Sequence, residues 1–430
     1  MRIPKRGIVA AVALAATAAV LTGCSSGAGS DPNTLKLWHF EGTDSDVGIA
    51  WERAIEIFEE ETGATVEYED KSFEQIRSTA SQVLNSNEAP DVMESPKGNA
   101  TAGLLASQGL LADITEAVEE YGWDDMLAPS LQTTAKYDEA GIMGSGPWYG
   151  VPNYGEYVTV YYNKTAFDEL GLSVPTTYDE FEQVLDAFVE AGQTPIAEAG
   201  AEYPLGQLFY QLALTQADRQ FVNDYQLYEN PVDWQDDALT FAADKVVEYV
   251  DKGWISADST GLKAEDMGVG FMSGEYPIMV SGSWWAGRVI NEATTFEWDT
   301  FLFPGADLVP GSSGNIWVVP ENAANKELAY EFIDITMSPE IQALIGNNGS
   351  IPVAADPADI TDEKSAKLIT DFNTVVEQDG LAFYPDWPTP NFYDQLVGAL
   401  QELVNGSLTP EQTLEQLGVE YEDGVADITG

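Results

Sequence analysis

The feature that most constrains the fold is an alternation of strand and helix patterns within residues 35–93. Residues 35–38 and 65–68 have the pattern of strands, and residues 89–93 predict a short third strand. Between the first two strands, apolar side chains recur on one helix face: Trp51, Ala54, Ile55 and Phe58. Strand, helix and strand in this order indicate right-handed parallel crossovers. The sequence therefore predicts an α/β fold with doubly wound sheets.

Later segments repeat this alternation. Residues 157–162 predict a second unit that starts with a strand, and Thr177 with Glu180 has the form of a capping box that begins a helix. Thr409, followed by Pro410 at the first helical position, begins a last helix. A chain of 430 residues with this content is long enough for two or more domains.

Polar side chains follow two of the predicted strands. His39 and Glu41 come after the first strand, and Glu94, Ser95 and Lys97 come at the end of the third. In doubly wound sheets, ligands bind beyond the carboxyl ends of the strands. We therefore treat these five side chains as candidate ligand contacts, with a solvated loop as the alternative interpretation.

The N-terminal segment has the pattern of an export signal. Cations in the first six residues precede an apolar run at residues 8–21, which is too short to span a membrane. The Leu-Thr-Gly-Cys sequence at residues 21–24 resembles a bacterial lipobox, and Cys24 is the only cysteine. The sequence predicts a lipoprotein signal peptide at 1–23, a lipid on Cys24 and a flexible tether at 24–32. The alternative is a chance cysteine at the end of an ordinary signal peptide.

The composition excludes several classes of ligand and partner. The formal net charge of −54 repels nucleic acid and anionic lipid headgroups, so we expect neither as a partner, and membrane contact only through the lipid. With one histidine and one cysteine, a transition-metal site is improbable, and no calcium-loop motif is present. We expect no metal and no cofactor.

Short motifs occur in an order that resembles a known family. They are Glu-Thr-Gly-Ala-Thr-Val at 61–66, Ala-Pro-Asp-Val at 89–92, Gly-Leu-Leu-Ala-Asp-Ile at 109–114, Tyr-Gly-Val-Pro at 149–152, Tyr-Asn-Lys at 162–164, Gly-Glu-Tyr-Pro-Ile-Met-Val-Ser-Gly-Ser-Trp at 274–284 and Glu-Leu-Ala-Tyr-Glu-Phe at 327–332. Together they resemble the extracellular solute-binding proteins of carbohydrate ABC importers, family 1, the group that includes maltose-binding protein. The resemblance covers essentially the whole chain after the signal.

The resemblance implies a two-lobed, periplasmic-binding-protein-like fold whose chain crosses between the lobes at hinges. Placed by the motifs, lobe 1 takes residues 33–153 plus 312–352, and lobe 2 takes residues 154–311 plus 353–430. The ligand would bind in the cleft and favour a closed state through contacts that only this state makes.

The resemblance also implies particular site residues. Trp284 and Glu156 match the positions of a sugar-stacking tryptophan and a sugar-binding carboxylate in the maltose-binding group. Trp285 has no such match, so we expect it to pack in the protein. The Gly and Ser neighbours of this tryptophan pair would leave clearance for a ligand.

Two further segments supply candidate site residues. Tyr203 lies in a segment that resembles an aromatic segment near the sugar in the same group. Asp386 and Trp387 lie in an aromatic, proline-rich loop at residues 383–392, which suits the wall of a cleft. For Asp386 and Trp387, ordinary loop packing is the alternative.

These observations predict a binding protein. It would be an extracytoplasmic, lipid-anchored monomer that captures a sugar or oligosaccharide and delivers it to an ABC permease. Aromatic plates with polar groups at their edges suit a sugar ring. The alternatives are a lipid-anchored glycoside hydrolase and the same fold with a non-sugar solute such as a polyamine or a peptide. We expect no enzyme, because carboxylates and aromatics alone do not define a reaction.

Overall fold

The fold comes from a computed structural model that describes residues 31–42, 45–86 and 88–430. The predicted signal peptide, the lipidation site at Cys24 and the tether up to residue 30 lie outside the described residues. Within the described part, no helix is long and apolar enough to cross a membrane.

The strands alternate with helices along the chain. The strands are Thr34–His39 (β1), Thr65–Asp70 (β2), Val92–Ser95 (β3), Lys136–Tyr137 (β4), Met143–Trp148 (β5), Val151–Pro152 (β6), Glu156–Asn163 (β7), Ile196–Ala197 (β8), Ile278–Gly282 (β9), Trp298–Phe301 (β10), Gly311–Ser312 (β11) and Ile316–Val318 (β12). The helices are Asp46–Thr62 (α1), Phe73–Leu84 (α2), Leu104–Ser107 (α3), Thr115–Tyr121 (α4), Trp123–Met126 (α5), Pro129–Gln132 (α6), Lys164–Leu170 (α7), Tyr178–Glu190 (α8), Pro204–Leu214 (α9), Arg219–Leu227 (α10), Asp237–Asp251 (α11), Ala264–Met272 (α12), Ala286–Glu292 (α13), Lys326–Thr336 (α14), Pro339–Asn347 (α15), Glu363–Glu377 (α16), Phe392–Val404 (α17) and Pro410–Thr429 (α18).

Several predicted elements are confirmed with small shifts. The apolar stripe of α1 buries Trp51, Ala54 and Phe58, as the spacing indicated. The capping boxes at Thr177 and Thr409 begin α8 and α18. The third strand, β3, begins at Val92, later than the start of the predicted 89–93 segment.

The first sheet has the order β2-β1-β3-β12-β6. β1 is parallel to both β2 and β3, which confirms the parallel crossovers predicted from the sequence. On one face, α1 packs with α14 and α15, and Trp51 meets Trp317 edge to face at a ring distance of 5.0 Å. This sheet therefore has its own apolar core.

The second sheet has the order β10-β7-β9-β8, and β11 also pairs with β7. β8 and β9 are parallel, whereas β7 is antiparallel to both of its neighbours. In the first sheet, β12 is likewise antiparallel to β3. Both sheets are therefore mixed, where the sequence pattern suggested parallel strands.

The antiparallel strands have a common cause. The chain passes directly from β6 in the first sheet to β7 in the second, and it returns from β11 to β12. A segment that crosses directly between the sheets enters at the edge where the parallel strands end, so it runs against them. The architecture is an α/β fold of two lobes, with the carboxyl ends of the parallel strands facing each other.

Candidate functional site

A cavity of about 610 Å³ lies where the two sheets face each other. Glu41 follows β1, Lys97 follows β3, Glu156 begins β7 and Trp284 follows β9, and all four line the cavity. The volume falls in the range of small-molecule sites, which is roughly 300–1,000 Å³. This cavity is the candidate functional site.

Most of the site residues predicted from the sequence line this cavity: Glu41, Lys97, Glu156, Tyr203, Trp284, Asp386 and Trp387. His39, Glu94 and Ser95 do not line it. His39 is 1% exposed, and its ring stacks on Tyr68 with 5.3 Å between the ring centroids. The Ser95 hydroxyl donates to the Pro96 carbonyl at 2.9 Å.

Glu94 supports the wall from behind. Its carboxylate accepts from the Phe40 amide at 3.3 Å and from the Asn153 side chain at 2.8 Å. Burial raises the pKa of Glu94 to about 7, although these two hydrogen bonds act in the opposite direction. The structure thus places His39, Glu94 and Ser95 beneath the cavity surface, because all three side chains are buried and contact groups of the protein.

A buried ion pair joins the two sheets at the cavity. The Lys97 ammonium contacts the Glu156 carboxylate, and the two side chains are only 7% and 8% exposed. The same ammonium lies 3.4 Å from Asn315 Oδ1. It also faces the rings of Tyr384 and Trp387, at 5.5 and 5.3 Å from their centroids. Lys97 therefore connects strand β3 with strand β7 and with the 383–392 loop.

Hydrogen bonds extend from this pair to the first strand. Asn315 donates to Tyr154 Oη at 2.8 Å, and Tyr154 donates to Glu41 Oε1 at 3.2 Å. Burial, followed by the charges of Glu94 and Asp46, raises the pKa of Glu41 well above its ordinary value. Burial also raises the pKa of Asp46 to about 6. The acidic side of the cavity is thus a connected network.

Another part of the cavity wall is aromatic. Trp284 Nε1 donates to Tyr203 Oη at 3.2 Å, and the two rings meet edge to face with their centroids 5.8 Å apart. The ring of Tyr384 lies 6.1 Å from that of Trp284. A Cβ atom on Gly282 would come within 1.9 Å of the Trp284 ring. Gly282 thus makes room for the Trp284 ring itself.

Trp285 has a different environment. It is 5% exposed and does not line the cavity. Its ring covers Gly268, where a Cβ atom would come within 2.2 Å of it, and the Arg288 guanidinium lies 5.1 Å from the ring centroid. Trp285 packs in the protein, as expected from its lack of a family match.

The cavity also includes residues that sequence reasoning missed. They are Asp46, Phe73, Arg77, Tyr154, Gln207, Arg288, Asn315, Tyr384 and Tyr393, with several smaller side chains. Tyr384 belongs to the aromatic, proline-rich loop at residues 383–392, so the composition of that loop could have identified it. Tyr154 and Asn315 lie on the two chain crossings, where no local pattern marks them.

The comparison with known families identifies the family of this chain. The family model described as bacterial extracellular solute-binding protein matches residues 42–343. This chain belongs to that family. The matched segment contains the crossings from β6 to β7 and from β11 to β12 and most of the cavity wall, including Glu156, Trp284 and Asn315.

Relatives of this solute-binding protein are named as sugar-binding proteins. A probable sugar-binding periplasmic protein of Rhizobium meliloti is 26% identical over 294 residues, which are 63% of this chain and 65% of the relative. A multiple sugar-binding protein of Streptococcus mutans is 30% identical over 161 residues, or 36% and 38% of the two chains. The chain spans less than two thirds of the length of each of these relatives.

A solved structure shares the architecture of this chain. A structure titled chitin oligosaccharide binding protein superimposes with a TM-score of 0.78 at 23% identity, over 91% of this chain and 99% of that one. At this level of identity the similarity supports the fold and carries no information about the ligand. It agrees with the two lobes that the sheets form around the cavity.

Proposed function

We propose that this protein is a carbohydrate-binding protein that captures a sugar or oligosaccharide between its two lobes. The observation that carries the proposal is the pairing of an aromatic side, formed by Trp284 and Tyr203, with an acidic side around Glu41 in one cavity. The sugar-binding names of its relatives support the same ligand class.

The chemistry of a sugar matches both sides of the cavity. A pyranose ring has C–H faces that pack on aromatic rings, and its edge carries hydroxyl groups that need hydrogen-bond partners. Trp284 would supply the platform. The carboxyl oxygen atoms of Glu41, Glu156 and Asp386 would accept hydrogen bonds from the hydroxyl groups of the sugar.

Lobe closure follows from the same residues. We divide the chain at the crossings into lobe 1, residues 33–153 plus 312–352, and lobe 2, residues 154–311 plus 353–430. In this division the Lys97–Glu156 ion pair connects the lobes. A ligand that contacts both lobes would stabilise the closed state and would be released when the lobes separate.

The cellular role rests on the N-terminal pattern. The protein would be exported, lipidated on Cys24 and held outside the cytoplasmic membrane as a monomer, where it would deliver its ligand to an ABC permease. A Cys24→Ser variant expressed in a bacterial host should then leave the membrane fraction and appear in the soluble extracytoplasmic fraction. Unchanged membrane retention of that variant would contradict lipid anchoring.

Binding without turnover is part of the proposal. Incubation of the purified protein with labelled oligosaccharides should leave them intact, and cleavage over several turnovers would contradict it.

A thermal-shift screen over mono- and oligosaccharides tests the ligand class. A ligand that binds only the folded state raises the unfolding midpoint in a concentration-dependent way. The proposal fails if a peptide raises the midpoint and no carbohydrate does. A permease-independent readout of this kind also separates ligand binding from transport.

A further inference from the structure

In the cavity wall, the cationic side chains form ion pairs, whereas several carboxylates do not. Its cationic residues, within the described chain, all contact carboxylates: Lys97 contacts Glu156, Arg77 contacts Glu74 and Asp394, and Arg288 contacts Glu265 and Glu292. Their positive charges are therefore already compensated inside the protein. The charges of Lys97 and Arg77 also lower the pKa of Asp386, but neither cation contacts that carboxylate.

The remaining cavity carboxylates lack such partners. Glu41, Asp46 and Asp386 line the cavity, and none of them forms an ion pair with another described residue. Asp46 Oδ2 is buried without a hydrogen-bond partner among the described residues. Burial raises the pKa of Asp46 and of Asp386 to about 6 and the pKa of Glu41 well above its ordinary value, so a cationic partner that stabilises the ionised forms would be favoured beside these carboxyl groups.

The cavity wall also contains a buried neutral hydrogen-bond acceptor without a partner. Gln207 lines the cavity and is 4% exposed, and its Oε1 atom has no hydrogen-bond partner in the described chain. Buried acceptors without partners are costly, so they mark positions where a ligand can supply donors. The cavity therefore favours a ligand that has more hydrogen-bond donors than acceptors.

An ammonium group meets these conditions better than a hydroxyl group. It has three donors and no acceptor, whereas a hydroxyl has one donor and carries no charge. It compensates carboxylates that would otherwise be desolvated against a neutral ligand. The faces of Trp284 and Tyr384 are also favourable surfaces for a cation.

We propose that the ligand is a carbohydrate with a free amine, whose ammonium group binds at Glu41 and Asp46 while its ring packs on Trp284. This inference rests on the proposed carbohydrate-binding function and narrows it. An acyclic polyamine has the charge but lacks a ring to cover the Trp284 platform. A neutral sugar has the ring but leaves the carboxylates uncompensated.

Sugars that differ in one substituent test the proposal. Calorimetric titration at pH 7 would compare glucose with glucosamine, galactose with galactosamine, and cellobiose with the β-1,4-linked glucosamine disaccharide and its N-acetylated form; maltose and spermidine complete the series. In at least one pair, the amino sugar should bind at least ~10-fold more tightly than its neutral counterpart, the size of one buried charge-assisted contact.

Variants identify the carboxylates responsible. Asp46→Asn and Glu41→Gln should each reduce the preference for the amine by about tenfold, because the amide that replaces each carboxylate still accepts a hydrogen bond but carries no charge. Glu415→Gln is the matched control, because Glu415 is an exposed carboxylate on α18, outside the cavity. If the cavity variants fail to fold, the ligand series on the unmodified protein still decides the question.

Each other outcome of the series has a defined meaning. Equal or tighter binding of the neutral members would overturn the amine proposal and leave the proposed function intact. Spermidine binding as tightly as the best amino sugar would overturn the carbohydrate part of the inference. Binding of no carbohydrate in the series or in the wider thermal-shift screen would overturn both.

Discussion

The cavity wall and the core of the second lobe meet at two consecutive tryptophans. Trp284 lines the cavity and presents its ring beside Tyr203, whereas Trp285 is buried with the residues around α12. Each ring lies over a glycine, Gly282 for Trp284 and Gly268 for Trp285. The difference teaches that the two glycines mark where the rings pack, while the backbone turn after β9 decides which ring lines the cavity.

The largest expected effect is a loss of stability when Trp285, the tryptophan in the core, is replaced. Trp285→Ala should lower the free energy of unfolding by about 3–5 kcal/mol, because it leaves a cavity in a packed region. Urea denaturation at a fixed temperature measures the change. Ligand affinity of the fraction that remains folded should stay within about twofold of the original value. A stability loss below about 1 kcal/mol would place Trp285 outside the core.

A buried carboxyl group in the same core gives a pH-dependent prediction. Glu198 is 3% exposed, and burial raises its pKa from 4.5 to about 8, with one hydrogen bond from the Ala199 amide acting against the shift. The folded state therefore binds more protons than the unfolded state between these two values, so Glu198 makes stability fall as pH rises through that window.

Glu198→Gln should remove this dependence. Between pH 5 and pH 7.5, the original protein should lose up to about 1.4 kcal/mol per pH unit relative to the variant, on the linkage of one proton. Unfolding curves of both proteins across this window give the difference. Parallel pH profiles would show that Glu198 ionises in the folded protein as readily as in the unfolded chain.

A substitution of Trp284, the tryptophan that lines the cavity, should change the affinity for the ligand. Trp284→Ala should weaken ligand binding by about 1.5 kcal/mol, or roughly tenfold, because it removes the stacking platform. Its effect on the free energy of unfolding should be smaller than that of Trp285→Ala, since Trp284 is only partly buried. Titration calorimetry and urea denaturation on the two variants separate these effects. Equal affinity with a large loss of stability would assign Trp284 to the core.

A smaller effect should come from the glycine beneath the platform. Gly282→Ala places a Cβ atom against the Trp284 ring and should displace it, at a cost in affinity of about 1 kcal/mol. Gly261→Ala is the control, because a Cβ atom there meets no other atom within 4 Å. Affinities from titration should fall only for Gly282→Ala. An equal response of the two variants would show that the Trp284 ring tolerates the added methyl group.

Local patterns in the sequence predicted one part of the site well. The sequence pattern predicted β1, β3 and the apolar face of α1. The rule that ligands bind beyond strand ends then predicted Glu41 after β1 and Lys97 after β3, and both line the cavity. Trp284 and Glu156 came from the family resemblance, and both line the cavity.

The remaining site residues depend on tertiary structure. Tyr154 and Asn315 meet only because the chain crosses twice between the sheets, and they are 161 positions apart in the sequence. The direction of β7 has the same origin, since no local pattern shows from which edge a strand enters its sheet. Whether a polar residue at a strand end faces the cavity or the layer beneath it, as for Glu94, depends on register that composition does not reveal.

A crystal structure with the carbohydrate selected by the thermal-shift screen tests the central claim most directly. The account predicts that the sugar lies in the cavity between the two sheets, with one ring packed on Trp284 and its polar groups within hydrogen-bond distance of Glu41 or Asp46. A sugar bound elsewhere, or bound in the cavity without contact to Trp284 and these carboxylates, would contradict it.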